Sequence, residues 1–226
     1  VAKAAAAVVS TDGDTSNVVI GQMLQRRYGI GCVVARIFAP RRAAFYAERA
    51  RGGAALIAME KPVALDSRTG FEVRRLLEGS RVKCVVSHQH RYGEHYKTVK
   101  EIVASGALGR VHTVYGTATG WAAHMLSHLI DYTCWFNNYE PAEWAMAQSA
   151  GRGKLADFHT SPDYVAGVVH FKNGVRGIYD CGAGAPDVPE VDASKEHKLW
   201  WRKARMGAQG SEGFAEVGSF LNGYYS

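Results

Sequence analysis

Short unbroken apolar runs alternate with amphipathic segments through the first ninety residues. The apolar runs lie at 32–38, 54–59 and 82–87, and each is typical of a buried parallel strand. Helices are predicted between them over 43–51 and 67–78. Strand, helix, strand, helix, strand at this spacing predicts a Rossmann-type, doubly wound α/β domain with a parallel sheet.

The thirty residues before these runs have a less regular pattern. The β-branched segment 18–20 predicts a strand, and 22–28 predicts a short helix that ends at Gly29. Several glycines are present, yet no GxGxxG motif follows a predicted strand. The segment therefore supplies no recognisable loop for the pyrophosphate of a dinucleotide.

Longer helices and alternating strands replace this pattern after residue 91. The predicted helices cover 94–105 and 121–136. The predicted strands are 111–119, 164–171, 175–180, 205–209 and 214–217. Asn173-Gly174 is a strong signal for a type I′ hairpin turn. The pattern predicts an open, mostly antiparallel sheet with helices on one face, so we expect two domains, 1–90 and 91–226.

Composition narrows the classes of partner and compartment. The chain has 226 residues, of which 47% are hydrophobic, and it contains no apolar run of the roughly eighteen residues that a membrane helix needs. Its net charge of +6 is scattered, which favours solvated surface charge over a nucleic-acid interface. The four cysteines lie far apart, which argues against a zinc site and disulfides and fits a reducing, cytoplasmic setting.

Glu60-Lys61-Pro62 follows the second apolar run directly. A lysine at the end of a buried strand is partly desolvated, which lowers its pKa and suits it to proton handling near neutrality. Glu60 offsets part of the lysine charge, and Pro62 fixes the backbone as the chain leaves the strand. The alternative is an ordinary surface ion pair.

Other polar residues are expected at the same edge of the predicted sheet, where functional groups gather in doubly wound folds. They are Pro40 after the first run and the segment 88–91 after the third. Arg91 suits a carboxylate, a phosphate or a polyol. The alternative for His90 and Arg91 is a role as ordinary loop residues.

The helix predicted over 121–136 carries a polar stripe on an apolar background. His124, His128, Asp131 and Trp135 follow the spacing of one helical face. Buried polar groups need partners, so the stripe has three interpretations: a pocket wall with a histidine acid/base, a metal site, or a structural network. The metal site is the weakest, because the HMLSH segment lacks the zinc-protease glutamate and no third ligand is nearby.

Five ordered segments together resemble the Gfo/Idh/MocA oxidoreductases, which act mainly on sugars and cyclitols. The first two are RAAFYAERARGGAALIAMEKPVAL and SHQHRYGEHYKTVKEIVASGALGRVHTV. The other three are GWAAHMLSHLIDYTCW, HFKNGVRGIYD and RMGAQGSEGFAEV. Each is loose alone, but the five in order with sensible spacing are fairly specific.

The resemblance implies a Rossmann domain followed by an open-faced sheet domain that also builds homodimer or homotetramer contacts. It implies NAD or NADP, no metal, and hydride transfer from a hydroxyl carbon of a sugar or cyclitol. Lys61 is expected near the nicotinamide, and His128 is expected to exchange a proton with the substrate hydroxyl. The residues expected to help bind the cofactor are Pro40, Glu60, Pro62 and Arg91. Those expected to help bind substrate are His90 and His124.

Two departures from the family pattern stand out. The position one turn before His128 is often aspartate in the family, whereas His124 here provides no permanent anion. Only 59 residues precede Glu60, fewer than the family's first strand and glycine loop need, so we expect missing segments at both ends. Two further functions remain open: a relative that cleaves glycosidic bonds through transient oxidation, and a non-catalytic binding protein on the same scaffold.

Overall fold

A computed structural model describes residues 4–37, 39, 56–64, 66–78, 83–120, 122–151, 161–182, 185, 204–218 and 222–225. The chain divides into two compact units, Val1–Ser87 and His88–Ser226. Pro40 and the helix predicted over 43–51 lie outside the described residues.

The first unit contains a four-stranded parallel sheet whose strands lie in chain order. The strands are β1 (Ala6–Val9), β2 (Cys32–Ile37), β3 (Leu56–Met59) and β4 (Lys83–Val86). The helices are α1 (Asp14–Tyr28) and α2 (Ser67–Glu78). Ile37, Met59 and Val73 form one buried cluster, which joins the sheet to α2. The parallel α/β unit predicted from the apolar runs is confirmed.

The prediction for residues 18–20 was wrong, because these residues lie inside α1. The helix begins at Asp14 and ends at Gly29, whose left-handed φ of 65° lets its N–H bond the Gln25 carbonyl. Asn17 and Gly21, one turn apart, are the buried positions on its face. Because neither is strongly apolar, the helical period was weak in the sequence and the β-branched segment dominated the prediction.

The second unit is a seven-stranded sheet with two helices packed against it. The sheet order is β11-β10-β9-β5-β8-β7-β6, and all its strand pairs are antiparallel except β5 with β8. Its strands are β5 (Val111–Ala118), β6 (Ala142–Ala150), β7 (Tyr164–Phe171), β8 (Arg176–Gly182), β9 (Ala204–Gly210), β10 (Phe214–Gly218) and β11 (Asn222–Tyr225). The helices are α3 (Glu94–Ser105), which follows a 3-10 helix (Gln89–Tyr92), and α4 (Ala122–Phe136). The predicted α+β layout is confirmed.

Helix α4 lies close against β5, β8 and β9. Its Met125, Leu129, Tyr132 and Phe136 are almost fully buried in the core of this unit. Gly116 of β5 permits the close approach, since a Cβ built there would lie 2.9 Å from the Leu129 Cβ. The helix that carries the polar stripe is therefore held rigidly on the sheet.

The loop at Asn173-Gly174 joins β7 to β8, as predicted, but it is not a type I′ turn. That turn needs a positive φ at both residues, and only Gly174, at 83°, has one. The Gly174 N–H donates to the Phe171 carbonyl, and the Phe171 N–H donates to the Val175 carbonyl. These bonds close a three-residue loop with the glycine in its last position.

Candidate active site

Two aromatic side chains of α4 form the floor of the candidate site. His128 and Tyr132 lie one helical turn apart, and their rings stack with centroids 5.5 Å apart. Both are buried, with His128 3% exposed. The Tyr132 hydroxyl lies 3.0 Å from His128 Nδ1 and accepts the His90 backbone N–H at 3.3 Å. The hydroxyl can donate its hydrogen to Nδ1 or accept the Nδ1 proton, according to which ring nitrogen of His128 is protonated.

His88 is the second neighbour of the same histidine nitrogen. Its Nδ1 lies 3.4 Å from His128 Nδ1, and the two rings meet edge-on with centroids 5.3 Å apart. His88 precedes the 3-10 helix, so the end of β4 leads directly to this contact. Nδ1 of His128 therefore faces two groups that can each donate or accept a proton.

An ion pair between Arg91 and Asp131 borders the cluster. The guanidinium grips the carboxylate through two contacts: Nε donates to Oδ2 at 2.7 Å, and an Nη atom donates to Oδ1. Burial alone would lower the pKa of Arg91, but the hydrogen bond and charge of Asp131 outweigh burial and raise it. Asp131 Oδ2 also lies 3.6 Å from His88 Nδ1. Arg91 therefore holds a carboxylate of the chain itself, that of Asp131.

His90 also belongs to the cluster around His128. Its ring stacks on Tyr96 of α3 at 5.5 Å and meets the His128 ring edge-on at 5.9 Å. Burial lowers the pKa of His90 below its usual value. Burial also raises the pKa of Tyr132 well above its ordinary range, so the hydroxyl stays protonated near neutrality. The structure therefore brings His90, Arg91 and His128 together, as the predicted site requires.

The remaining members of the predicted stripe have different surroundings. His124 lies one turn before His128 and is exposed. Trp135 stacks on Phe136 and packs against the core of the second unit. Among the described residues, no group of three or more His, Cys, Asp or Glu is placed to hold a metal ion.

Glu60-Lys61-Pro62 begins directly after β3 in the first unit. Ser87 follows β4 and donates its N–H to the carbonyl of Met59, the last residue of β3. The carboxyl ends of the parallel strands β3 and β4 therefore lie side by side. Burial lowers the pKa of Lys61, and the charge of Glu60 offsets part of this effect. Glu60 also accepts a hydrogen bond from Arg36 at 3.1 Å. The desolvated lysine at a strand end agrees with the basis of the sequence prediction.

The first unit fits the nicotinamide of a dinucleotide better than it fits the pyrophosphate. The edge with Lys61 is compatible with the nicotinamide end, because the lowered pKa of this half-buried lysine makes its neutral form, which does not repel an oxidised ring, easier to reach. The turn between β1 and α1 does not suit a pyrophosphate. The helix N-terminus there carries the buried Asp14 carboxylate, which accepts the Ala39 N–H at 3.0 Å, and Asn17 closes the turn onto Thr11. The described strands also run in chain order, without the reversal where dinucleotides bind.

Sequence reasoning missed Tyr132 and the pairing of Arg91 with Asp131. Tyr132 is not part of the predicted polar stripe, although its position four residues after His128 places the two side chains side by side. Arg91 and Asp131 are separated by forty residues in the chain. Nothing local in the sequence signals such a pair, so only the tertiary structure reveals it.

No protein-family model matches the chain. A curated relative is the scyllo-inositol 2-dehydrogenase (NADP⁺) IolW of Bacillus subtilis, 27% identical over 128 residues, which are 48% of this chain and 36% of the relative. The solved structure of an oxidoreductase from Sinorhizobium meliloti matches with a TM-score of 0.69 and 14% identity over 96% of this chain and 60% of that one. An inositol dehydrogenase homologue from Azotobacter vinelandii, complexed with NADH and myo-inositol, matches with a TM-score of 0.63 and 15% identity, over 87% of this chain and 53% of that one.

The two solved structures share the fold of this chain, and the sequence similarity to IolW extends over 128 residues. The chain spans 36% of the curated relative and 60% of the Sinorhizobium protein. It therefore corresponds to part of each of these proteins. Within the described residues, no helix is long and apolar enough to cross a membrane.

Proposed function

We propose that the protein is an NAD(P)-dependent oxidoreductase that transfers a hydride between the nicotinamide and a hydroxyl carbon of a sugar or cyclitol. The observation that carries the proposal is the buried His128, whose Nδ1 lies beside the Tyr132 hydroxyl and His88 Nδ1. A histidine held in this way is suited to exchange a proton with a substrate. Relatives with the same fold bind NADH with myo-inositol, and IolW uses NADP⁺.

His128 is assigned the proton exchange at the substrate hydroxyl. Its Nδ1 is engaged by the two neighbours, so the exchange is assigned to Nε2. In the oxidation direction Nε2 takes the hydroxyl proton as the hydride leaves the carbon; in reduction it returns that proton. The bound nicotinamide supplies the hydride acceptor or donor. Tyr132 and His88 can each change between donor and acceptor, which suits a reversible reaction.

Lys61 is assigned the second role in the reaction, at the nicotinamide end of the cofactor. Its lowered pKa allows it to stabilise or relay charge near neutrality better than a fully solvated lysine would. Glu60 and Pro62 are proposed to contribute to cofactor binding beside it, together with Pro40 and Arg91. His90 and His124 are proposed to contact the substrate.

We also propose a cytoplasmic setting and a homo-oligomer, either a dimer or a tetramer. The four cysteines are free, which suits a reducing compartment. The sheet face turned away from the helices carries exposed apolar side chains, namely Trp144, Met146 and Ile178. Met146 and Ile178 both face Val168 across neighbouring strand pairs, so they form one row. An exposed apolar row on a sheet is typical of a protein interface.

The proposal is tested by reduction of NAD⁺ and NADP⁺ with a panel of cyclitols and sugars. We expect turnover with at least one polyol, and a loss of about 10²- to 10⁴-fold in kcat for His128→Asn, the range of general acid–base catalysis. His170→Asn is the matched control, because His170 pairs with Glu143 at 3.1 Å on a partly exposed surface. Nucleotide that fails to raise the Tm of the protein, with no turnover of any polyol, would contradict the proposal.

A further inference from the structure

The proposed function does not specify which group supplies a negative charge near His128. In the proposed reaction His128 gains a proton while it is buried, and burial disfavours the charged form. A compensating anion close to the ring would lower that cost. The position one turn earlier carries a histidine, which cannot serve as a permanent anion.

Asp131 is the carboxylate that the fold brings into reach instead. It lies on the same helix as His128, and its side chain is only 16% exposed. Both of its oxygens accept hydrogen bonds from the Arg91 guanidinium, which fixes the orientation of the carboxylate. Oδ2 faces His88 Nδ1 at 3.6 Å, and His88 Nδ1 faces His128 Nδ1 at 3.4 Å. These atoms form a continuous chain from carboxylate to histidine.

The charge of Asp131 is not cancelled by Arg91 within the cluster. At the Tyr132 hydroxyl, where burial has the largest effect on the pKa, the carboxylate raises that pKa by more than the guanidinium lowers it. The same order holds at the Cys134 thiol, whose pKa is raised to about 11, mainly by burial. The ion pair therefore presents its negative end to this side of α4.

We propose that Asp131, oriented by Arg91 and acting through His88, supplies the negative charge that stabilises protonated His128. Asp131 and His88 are positioning residues in this scheme, and the role rests on the function proposed above.

In the oxidation direction, one proton moves from the substrate hydroxyl to His128 and a hydride leaves the substrate carbon. The substrate O–H bond breaks and a new N–H bond forms at His128 Nε2, as the C–H bond gives up its hydride, for which a bound nicotinamide would be the acceptor. The other ring proton stays on Nδ1 and is donated to the Tyr132 oxygen or to His88 Nδ1. If it moves to His88 Nδ1, the resulting imidazolium faces Asp131 directly. Asp131 remains a carboxylate throughout.

Kinetics of Asp131→Asn and His88→Asn test this role. Asparagine keeps the shape of aspartate but removes its charge, and at position 88 it keeps a polar group but cannot carry a proton. We expect kcat to fall about 10- to 100-fold in each variant, the range seen for residues that orient a functional histidine. The KM for the polyol should change by less than about twofold, since neither residue is assigned to substrate binding. Glu143→Gln, at the His170 pair, is the matched control and should leave both constants unchanged.

A second readout is independent of turnover. The protonation of His128 is followed by nitrogen-15 NMR of its imidazole in the protein without substrate. The titratable groups in contact with His128 are His88, His90 and Tyr132. Asp131 lies next to His88, Arg91 pairs with Asp131, and Tyr96 contacts Tyr132. Removing one anion from this set should move the pH of proton uptake downward by about one unit in Asp131→Asn, equivalent to tenfold weaker proton binding. In Glu143→Gln only the His170 signal should move.

The two readouts separate this inference from the proposed function. If the wild-type protein turns over no polyol, the proposed function fails, and the NMR titration still decides whether Asp131 stabilises protonated His128. An Asp131→Asn variant with unchanged proton uptake at His128 would overturn the inference. If Asp131→Asn fails to fold, His88→Ala decides: added imidazole should restore part of its kcat, and a folded variant that shows no such rescue would overturn the inference equally.

Discussion

At the scale of single residues, the Tyr132 hydroxyl determines how His128 is held. It joins the His90 backbone N–H to His128 Nδ1 inside the core. Tyr132→Phe should lower the free energy of unfolding by about 1–3 kcal/mol, because the half-buried His90 N–H and the buried His128 ring each lose a hydrogen-bonding neighbour. Measured by urea denaturation, the loss should be absent in Tyr92→Phe, since Tyr92 is 71% exposed. Equal stabilities for Tyr132→Phe and the wild type would show that the hydroxyl is not structurally engaged.

His90 should contribute to the acid sensitivity of the fold. Burial lowers its pKa in the folded protein, so below its unfolded value, about 6.5, the unfolded chain binds the proton more readily. This contribution makes the free energy of unfolding fall as the pH drops from about 6.5 towards the folded pKa. His90→Gln removes it, so its stability should decline less steeply with acid than that of the wild type. The measurement is urea denaturation at a series of pH values, with the exposed His95→Gln as control; an unchanged slope for His90→Gln would contradict it.

At the scale of secondary structure, the contact between α4 and β5 holds His128 in place. A Cβ at Gly116 would lie 2.9 Å from Leu129 Cβ and 3.5 Å from its Cα, and Leu129 follows His128 in the helix. Gly116→Ala should therefore push α4 from the sheet and destabilise the protein by about 1–3 kcal/mol, as overpacking does. Gly31→Ala is the control, because nothing lies within 4 Å of its added Cβ and its φ is not positive. Thermal unfolding checks both, and equal Tm values would mean that the helix has room to move.

The sequence predicted an element well where its apolar period and its terminal residues indicated the same bounds. Helix α3 has its predicted bounds, because an apolar period and a left-handed Gly106 define it together. Strand β6 was missed, since it lies at the sheet edge and all its side chains are exposed. Without a buried face it shows no alternation between apolar and polar positions. Part of helix α1 was predicted as a strand, because the helix has a buried face but that face carries Asn17 and Gly21, which are not strongly apolar.

The candidate site was only partly predictable for a related reason. His128 was selected because a polar residue on an apolar helix needs a partner. The partners come from two separate parts of the chain: His88 and His90 at the 3-10 helix, and Tyr132 on α4. Contacts between distant segments depend on packing, which residue spacing does not encode.

At the scale of the whole molecule, the exposed sheet face should control assembly. Met146 is 70% exposed on this face and lies in a row with Val168 and Ile178. Met146→Lys places a charge in the proposed interface, so it should shift the oligomer towards the monomer. Sedimentation velocity measures this, with Lys97→Glu on the surface of α3 as a charge-changing control. A monomeric wild-type protein would contradict the proposed assembly.

An isotope-transfer experiment tests most directly whether the protein transfers a hydride from a hydroxyl carbon. A polyol substrate that carries deuterium on the reacting carbon is incubated with the protein and NAD⁺ or NADP⁺. NMR should find the deuterium on the nicotinamide ring of the reduced cofactor, and His128→Asn should abolish the transfer while nucleotide still binds. An oxidised product formed without deuterium in the nicotinamide, or transfer that persists undiminished in His128→Asn, would contradict it.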